Sequence, residues 1–357
     1  MIINKKLKGE YMISARLWST GMINQLMSLE VMVGLSALLK KEFRVYNLWD
    51  QYDPIGVSSP VHYRYMNRLP ELIGKETVKR LPDILDWDNE GWILEDKNQP
   101  DEIEGHVTQC LFDKHYVNCQ PQFHDGEDEF RGNFEVLELD PSINYNFINV
   151  ISFYCRCFFN RTKEVEDALK KIQWKQPYVD LANDIAKDLG TFSAIHLRDT
   201  DNFGTIKIHP RHFENGINEI AQHGHPIILA TDNPGSDMVT QLSGRFTLME
   251  DIIREGWAQR FRELPYHDEV VLGLITNLVL AHSTEFIGTP GSTFTAYIHR
   301  QQQHRGKCDW RFLDGIISSD QNPLNNTPSH PPGRYSWVEY PTQPTWWREW
   351  PECSWIY

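Results

Sequence analysis

The sequence has no apolar run of the roughly 20 residues that a membrane-spanning helix requires, so no membrane span is expected. It also has no internal repeat, which sets aside solenoid and propeller architectures. Basic residues are in deficit, with 35 Lys and Arg against 49 Asp and Glu and a formal charge of −14. That balance opposes a broad electrostatic grip on nucleic acid or anionic lipid, so any anion must be held locally. Cysteines are few. Cys110, Cys119, Cys155, Cys157, Cys308 and Cys353 form no CxxC pair, nearby histidines complete no zinc pattern, and His209, His212, His223 and His225 make no i, i+4 ligand pair. The thiols are read as buried, and no metal site is expected. The opening MIINKKLKGEYMISARLW lacks the apolar core of a secretory signal. A cytoplasmic location is the expectation, under which the sequons at Asn160 and Asn325 carry no weight.

What is present is globular: 40% hydrophobic and 24% charged residues over 357 positions, enough for about two domains. From Tyr11 to Leu17 apolar residues alternate with Met12, Ser14 and Arg16 as in a strand. The run from Gln25 to Lys41 repeats Leu26, Leu29, Val33 and Ala37 on one helical stripe, and FRVYNLW reads as a second strand. Strand, helix and strand at this spacing predict a parallel crossover. From Asp50 to Asn149 periodicity fades, and the acidic runs DNEGWILEDKNQPDEIEG and HDGEDEF read as solvated loops.

Regularity returns with helical patterns in TKEVEDALKKI and PYVDLANDIAKDLG, where Pro177 suits a first turn and Gly190 a helix stop. TFSAIHLR, PIILATDN and TEFIGT read as strands, separated by helical HFENGINEIAQH and DEVVLGLITNLVLAHS. The expected organisation is an N-terminal α/β domain over 1–175 on the acceptor side, a C-terminal Rossmann-like α/β domain over 176–317, and a Pro- and Trp-rich tail over 318–357 that packs back on the body.

In open parallel sheets ligands gather where loops leave the carboxyl ends of strands, so the turns after Leu17, Leu197, Thr231 and Gly288 are the places to inspect. After the first strand, Gly21 permits a tight turn and the helix that follows offers free N–H groups to an anion; Asn24 serves there either as a ligand or as an N-cap. AIHLRDTD places His196 and Arg198 on one side of a strand, with Ile195 and Leu197 on the other. A guanidinium at a strand exit forms paired charge-assisted bonds to phosphate, which a lysine cannot reproduce. Its competing role is an ion pair with Asp199 or Asp201. Asp199, Thr200 and Asp201 spell the DxD of metal-dependent glycosyltransferases, but Arg198 already brings the positive charge a cation would supply. Asp232 ends the PIILATD strand, either contacting a ligand or capping the turn.

These segments carry a resemblance. STGMINQLMSLEVMVGLSALL resembles the G-x-x-N-Q segment of the fucosyltransferase superfamily, and AIHLRDTD is similar to its H-x-R-R-x-D strand. PIILATDNP resembles the strand and Asp that follow, and TEFIGTPGSTFTAYIHR its F-I-G-x-x-x-S-T/S-F segment. They occur in the family's order, and HLRDTDNFGTIKIHP is nearest to the α1,6 branch. The resemblance implies a GT-B arrangement of two Rossmann-like domains facing a cleft, GDP-fucose as donor substrate, no cofactor, metal-independent transfer with inversion, and a glycan or protein acceptor. It implies a donor site of Gly21, Asn24, His196, Arg198, Asp232, Asn277, Ser292, Thr293 and Phe294, in which Arg198 contacts diphosphate and Ser292 and Thr293 hold phosphate.

Three positions depart from the pattern. Asp199 stands where the α1,6 enzymes carry a second Arg, their basic Glu falls near Ile206 or Lys207, and an acid that recognises guanine is matched by Asn277. Arg198, Asp199 and Asp201 are the expected catalytic residues, the two acids as base candidates with Glu30 as a third. A transferase using another GDP-sugar and a non-catalytic nucleotide- or glycan-binding protein remain the alternatives.

Overall fold

Strand β1 (Met12–Arg16) lies parallel to β2 (Glu42–Tyr46), with Ala15 opposite Val45. The buried helical residues Met22, Ile23, Leu26, Leu29 and Val33 occupy the connection, so the expected crossover unit is present. Its helix already runs at Met22, ahead of the Gln25 start read from the periodicity, because Met22 and Ile23 belong to the same buried stripe. This computed structural model describes residues 12–16, 42–46, 92–95 and 147–151, individual positions within 22–37 and 69–86, and then 163–199, 207–289, 292–306, 311, 313 and 316–317.

Two further parallel strands complete the first sheet. β3 (Trp92–Glu95) pairs with β2, and β4 (Phe147–Ile151) pairs with the free side of β1, giving the order β3-β2-β1-β4. β3 corrects the reading of DNEGWILEDKNQPDEIEG as solvated loop throughout. Trp92, Ile93 and Leu94 form a continuous apolar run of the kind that parallel sheets use, but it is too short to display a period against its acidic flanks.

The second sheet has the same order. β5 (Ser193–Leu197), β6 (Ile227–Thr231), β7 (Thr247–Leu248) and β8 (Glu285–Gly288) are all parallel and run β7-β6-β5-β8 across the sheet. Every residue of β5 is buried, as expected for a central parallel strand covered on both faces. The three longer strands match the segments read from sequence. β7 and the helical run Met249–Arg262 behind it, with a π turn at Ile253–Trp257, were not foreseen.

Four helices bear on the site: α1 (Gln176–Leu189), α2 (Pro210–Ala221), α3 (Glu269–Leu280) and α4 (Thr293–His304). In α1, Tyr178, Leu181, Ala182, Ile185 and Ala186 make one buried stripe at i, i+3 and i+4 spacing. Pro177 sits in its first turn and Gly190 ends it at φ 66°, a left-handed value that glycine adopts without a Cβ penalty. Helix α2 packs on β5 and β8, with Phe213, Ile217 and Ile220 against Ile195, Leu197, Leu229 and Ile287. Helix α3 packs against α1 and α4 and is buried almost all round, which explains why its sequence is apolar at nearly every position.

The chain divides into two compact units. The first sheet lies within Met1–Gly56 and Arg80–Gln173, and the second within Val57–Lys79 and Trp174–Tyr340. No helix among the described residues is long and apolar enough to cross a membrane.

Candidate functional site

In the second sheet the chain steps outward from β5 to β6 and β7, then returns to the other side of β5 to form β8. The strand order therefore reverses between β5 and β8, and their carboxyl ends open the crevice in which doubly wound sheets place ligands. The register puts Gly288 opposite His196, so the residues leaving the strands here are Leu197, Arg198 and Asp199 on one side and Thr289 on the other. Helix α4 begins just beyond, at Thr293, and its first N–H groups have no acceptor within the helix. Two features read separately from the sequence, the HLRD exit and the GST segment, are therefore adjacent.

Close approach of α4 to β8 is possible because residue 288 is glycine. A Cβ there would stand 2.2 Å from Thr295 Cγ2 and 2.6 Å from its Oγ1. Thr295 is fully buried and β-branched, so it cannot swing aside. Its hydroxyl lies 2.7 Å from Nδ1 of His196. The His196 ring also rests against Phe294, with centroids 4.7 Å apart. Gly288→Ala is expected to lower stability by about 1–3 kcal/mol, the usual cost of overpacking, and to displace Thr295 from His196. Urea midpoints of the two proteins measure the first effect, and an unchanged midpoint would contradict the packing argument.

His196 is 7% exposed, and burial, assisted by the neighbouring Arg198 charge, pushes its pKa from 6.5 down to about 3. The imidazole is neutral at pH 7, and the positive charge of this crevice belongs to Arg198, which is half-buried at the strand exit. The Arg198 backbone N–H donates to Thr289 Oγ1 at 2.8 Å, and Thr289 Oγ1 in turn donates to the His196 carbonyl at 3.0 Å. Ser292 is 2% exposed, and its hydroxyl meets no partner among the described residues. A buried hydroxyl left in that condition costs about 1–3 kcal/mol, and an anion at the helix terminus would relieve it. Thr293 is buried beside it and Phe294 is half-buried.

The acids are tied into the loops. Asp199 donates its N–H to Asp232 Oδ1 at 2.7 Å, and its Oδ2 accepts from Asn233 Nδ2 at 3.0 Å. Asn277 lies on α3 at 1% exposure, giving an Nδ2 proton to the Phe294 carbonyl at 3.1 Å and accepting from Gln301 Nε2 at 2.7 Å. Its amide anchors the start of α4. Glu30 is 2% exposed in the helix of the first unit. Gly21, Asn24 and Asp201 lie outside the described residues.

The structure thus brings His196, Arg198, Asp199, Asp232, Asn277, Ser292, Thr293 and Phe294 to the carboxyl edge of one sheet or to the helix ends beside it. Sequence reasoning missed Thr289 and Thr295. The available signal was positional: Thr289 is a hydroxyl residue at a strand exit, and Thr295 follows the glycine by a distance that lets a helix turn fold back on it.

No family model and no curated protein sequence matches the chain. Among solved structures it is similar to fucosyltransferase NodZ from Bradyrhizobium, at 17% identity over 82% of this chain and 93% of that one, with a TM-score of 0.43. NodZ α-1,6-fucosyltransferase soaked with GDP-fucose gives 16% identity, coverage of 82% and 92%, and a TM-score of 0.44. POFUT1 in complex with GDP-fucose gives 10% identity, coverage of 85% and 98%, and a TM-score of 0.40. Two of these three are described as fucosyltransferases and the third as a complex with GDP-fucose.

Proposed function

We propose that the chain is a GT-B glycosyltransferase, with two Rossmann-like domains facing a cleft, that moves fucose from GDP-fucose to a hydroxyl of a glycan or protein acceptor, without a metal and with inversion. The observation that carries this reading is the meeting, at the switch point of the second sheet, of the Arg198 exit with the N-terminus of α4 and the unpartnered Ser292 hydroxyl. Cation, helix dipole and hydroxyl together suit a diphosphate.

The chemistry asks for that combination. As the bond from the sugar to phosphate breaks, negative charge grows on the departing GDP while the sugar becomes oxocarbenium-like. Donors fixed in advance around the phosphate lower that barrier, and Arg198 fills the role that a cation fills elsewhere. The acceptor hydroxyl attacks from the opposite face and must lose a proton to a carboxylate. The Asp199 carboxylate is already engaged by Asn233 and its N–H by Asp232, so the role is assigned to Asp201. Acceptor recognition is assigned to the Asp50–Asn149 region and the aromatic tail.

Thermal unfolding with GDP, UDP and CMP is the direct test. A ligand at 100 times its dissociation constant adds about 2.7 kcal/mol, a midpoint rise of about 5–10 °C for a domain of this size. The rise is expected with GDP alone and is expected to persist in EDTA. An unmoved midpoint with GDP would sink the reading, and GDP binding without donor hydrolysis or transfer would replace it with a binding protein.

A further inference from the structure

The ladder between β5 and β8 ends at the pair His196 and Gly288, and that between β5 and β6 ends at Leu197 and Thr231. Beyond those points side chains replace backbone carbonyls as acceptors. The Arg198 N–H is taken by Thr289 Oγ1 from the β8 side, and the very next amide, Asp199 N–H, is taken by Asp232 Oδ1 from the β6 side. Successive N–H groups of a strand point to opposite neighbours, and these two bonds continue that alternation past the last ladder pair. Thr289 is itself fixed, because its hydroxyl and its own N–H both donate to the His196 carbonyl, at 3.0 and 2.9 Å. Fully buried, it cannot turn its hydroxyl to another partner without leaving that carbonyl.

We propose that Thr289 and Asp232 are positioning residues that clamp the two amides leaving β5 and thereby aim Arg198. Their effect is to extend the strand direction while the neighbouring chains diverge. A strand's side chains repeat with period 2, so Arg198 is kept on the face of His196, the face that α4 covers. A guanidinium on an unclamped loop would sample many directions, and its paired bonds to an anion depend on one. The inference rests on the proposed diphosphate site for its functional part. The clamp itself is a property of the free protein. It also gives Asp232 a role distinct from ligand contact, since the carboxylate oxygen in question is already engaged with Asp199.

The test uses the full chain with Thr289→Val, which keeps shape and loses the hydroxyl, Thr289→Ser, which keeps the hydroxyl, and Asp232→Ala. Backbone hydrogen exchange reads the clamp directly: Arg198 exchange is expected to quicken about tenfold or more in Thr289→Val and Asp199 exchange likewise in Asp232→Ala, with Ile195 little changed. Thr289→Ser should recover most of the Arg198 protection. Turnover should fall about 10- to 100-fold in Thr289→Val, less than on loss of the guanidinium itself. In an Arg198→Ala background the same substitution should add less than about threefold, since there is nothing left to aim. Unchanged Arg198 exchange in Thr289→Val overturns the clamp whatever the ligand does, and fully additive losses in the double variant overturn its positioning role. A wild-type chain with no affinity for GDP overturns the functional reading instead, and exchange then decides the clamp alone.

Discussion

Arg198→Ala is expected to lower the proposed fucosyl transfer by about 10²–10³-fold, equivalent to about 2.7–4 kcal/mol of transition-state stabilisation, in a protein that remains folded. The fold survives because the contact tying residue 198 to the sheet is made by its backbone N–H to Thr289, which alanine retains. Nor does the core depend on the side chain: the cluster beneath β5 is made by Ile195 and Leu197 with α2 and β6, and Arg198 lies beyond it, half-buried. His196 changes little in charge, since burial is the larger cause of its lowered pKa and the Arg198 charge the smaller. On the proposed reading, what is lost is one preformed cation facing the departing diphosphate. Arg198→Lys is expected to recover only part of the rate, because an ammonium cannot make two parallel bonds in the guanidinium plane. Initial rates with the donor varied, beside a thermal midpoint for each variant, measure this. Turnover within about threefold of wild type for a folded Arg198→Ala protein would remove Arg198 from the mechanism.

Legibility from sequence followed the range over which each feature is encoded. The strands β5, β6 and β8 and helices α1 to α3 declare themselves locally, through apolar runs, 3.6-residue stripes, Pro177 in a first turn and Gly190 at a helix end. The short β3 and β7 carry too few residues for a period, and only pairing with a longer neighbour makes them strands. Helix α4 is hidden differently: its sequence, TFTAYIHRQQQH, mixes apolar and amide residues, and the positions that bury Thr295 and Tyr297 make sense only once β8 is beside them. At the site, the residue types of His196 and Arg198 at a strand exit were enough to single them out. What those residues touch was not readable. Thr289 meets Arg198 across 91 residues, and Asn233 meets Asp199 across 34. Asn277 illustrates the same limit, since its amide serves Phe294 and Gln301, partners that share no local pattern with it.

Lowering the pH should destabilise this protein well before its carboxylates are fully protonated, and two buried histidines contribute. His196 and His299 are both buried, and burial pushes each from 6.5 down to about 3, with Arg198 assisting at His196 and a bond to the Arg311 carbonyl opposing at His299. Between those values the unfolded chain binds protons that the folded chain refuses, so folding stability rises with pH through this window. The contribution is present above about pH 6.5 and is lost as the pH falls toward 3. Each group changes stability by about 1.4 kcal/mol per pH unit in mid-window, so the pair removes about 4 kcal/mol between pH 7 and pH 5. Against a total of about 5–15 kcal/mol for an ordinary domain, that is enough to move a urea midpoint substantially. The partners make the assignment separable. His299 packs edge-on against Phe286, with centroids 4.8 Å apart, so His299→Phe keeps an aromatic ring there while removing the titrating nitrogen. The variant forfeits the bond to Arg311, and its midpoint at pH 7 should be somewhat lower, but its slope between pH 6 and pH 5 should drop from about two protons to about one. Urea unfolding of both proteins at pH 7, 6 and 5 decides the matter, and a wild-type midpoint that stays level across that range would show that neither ring is held neutral by its burial.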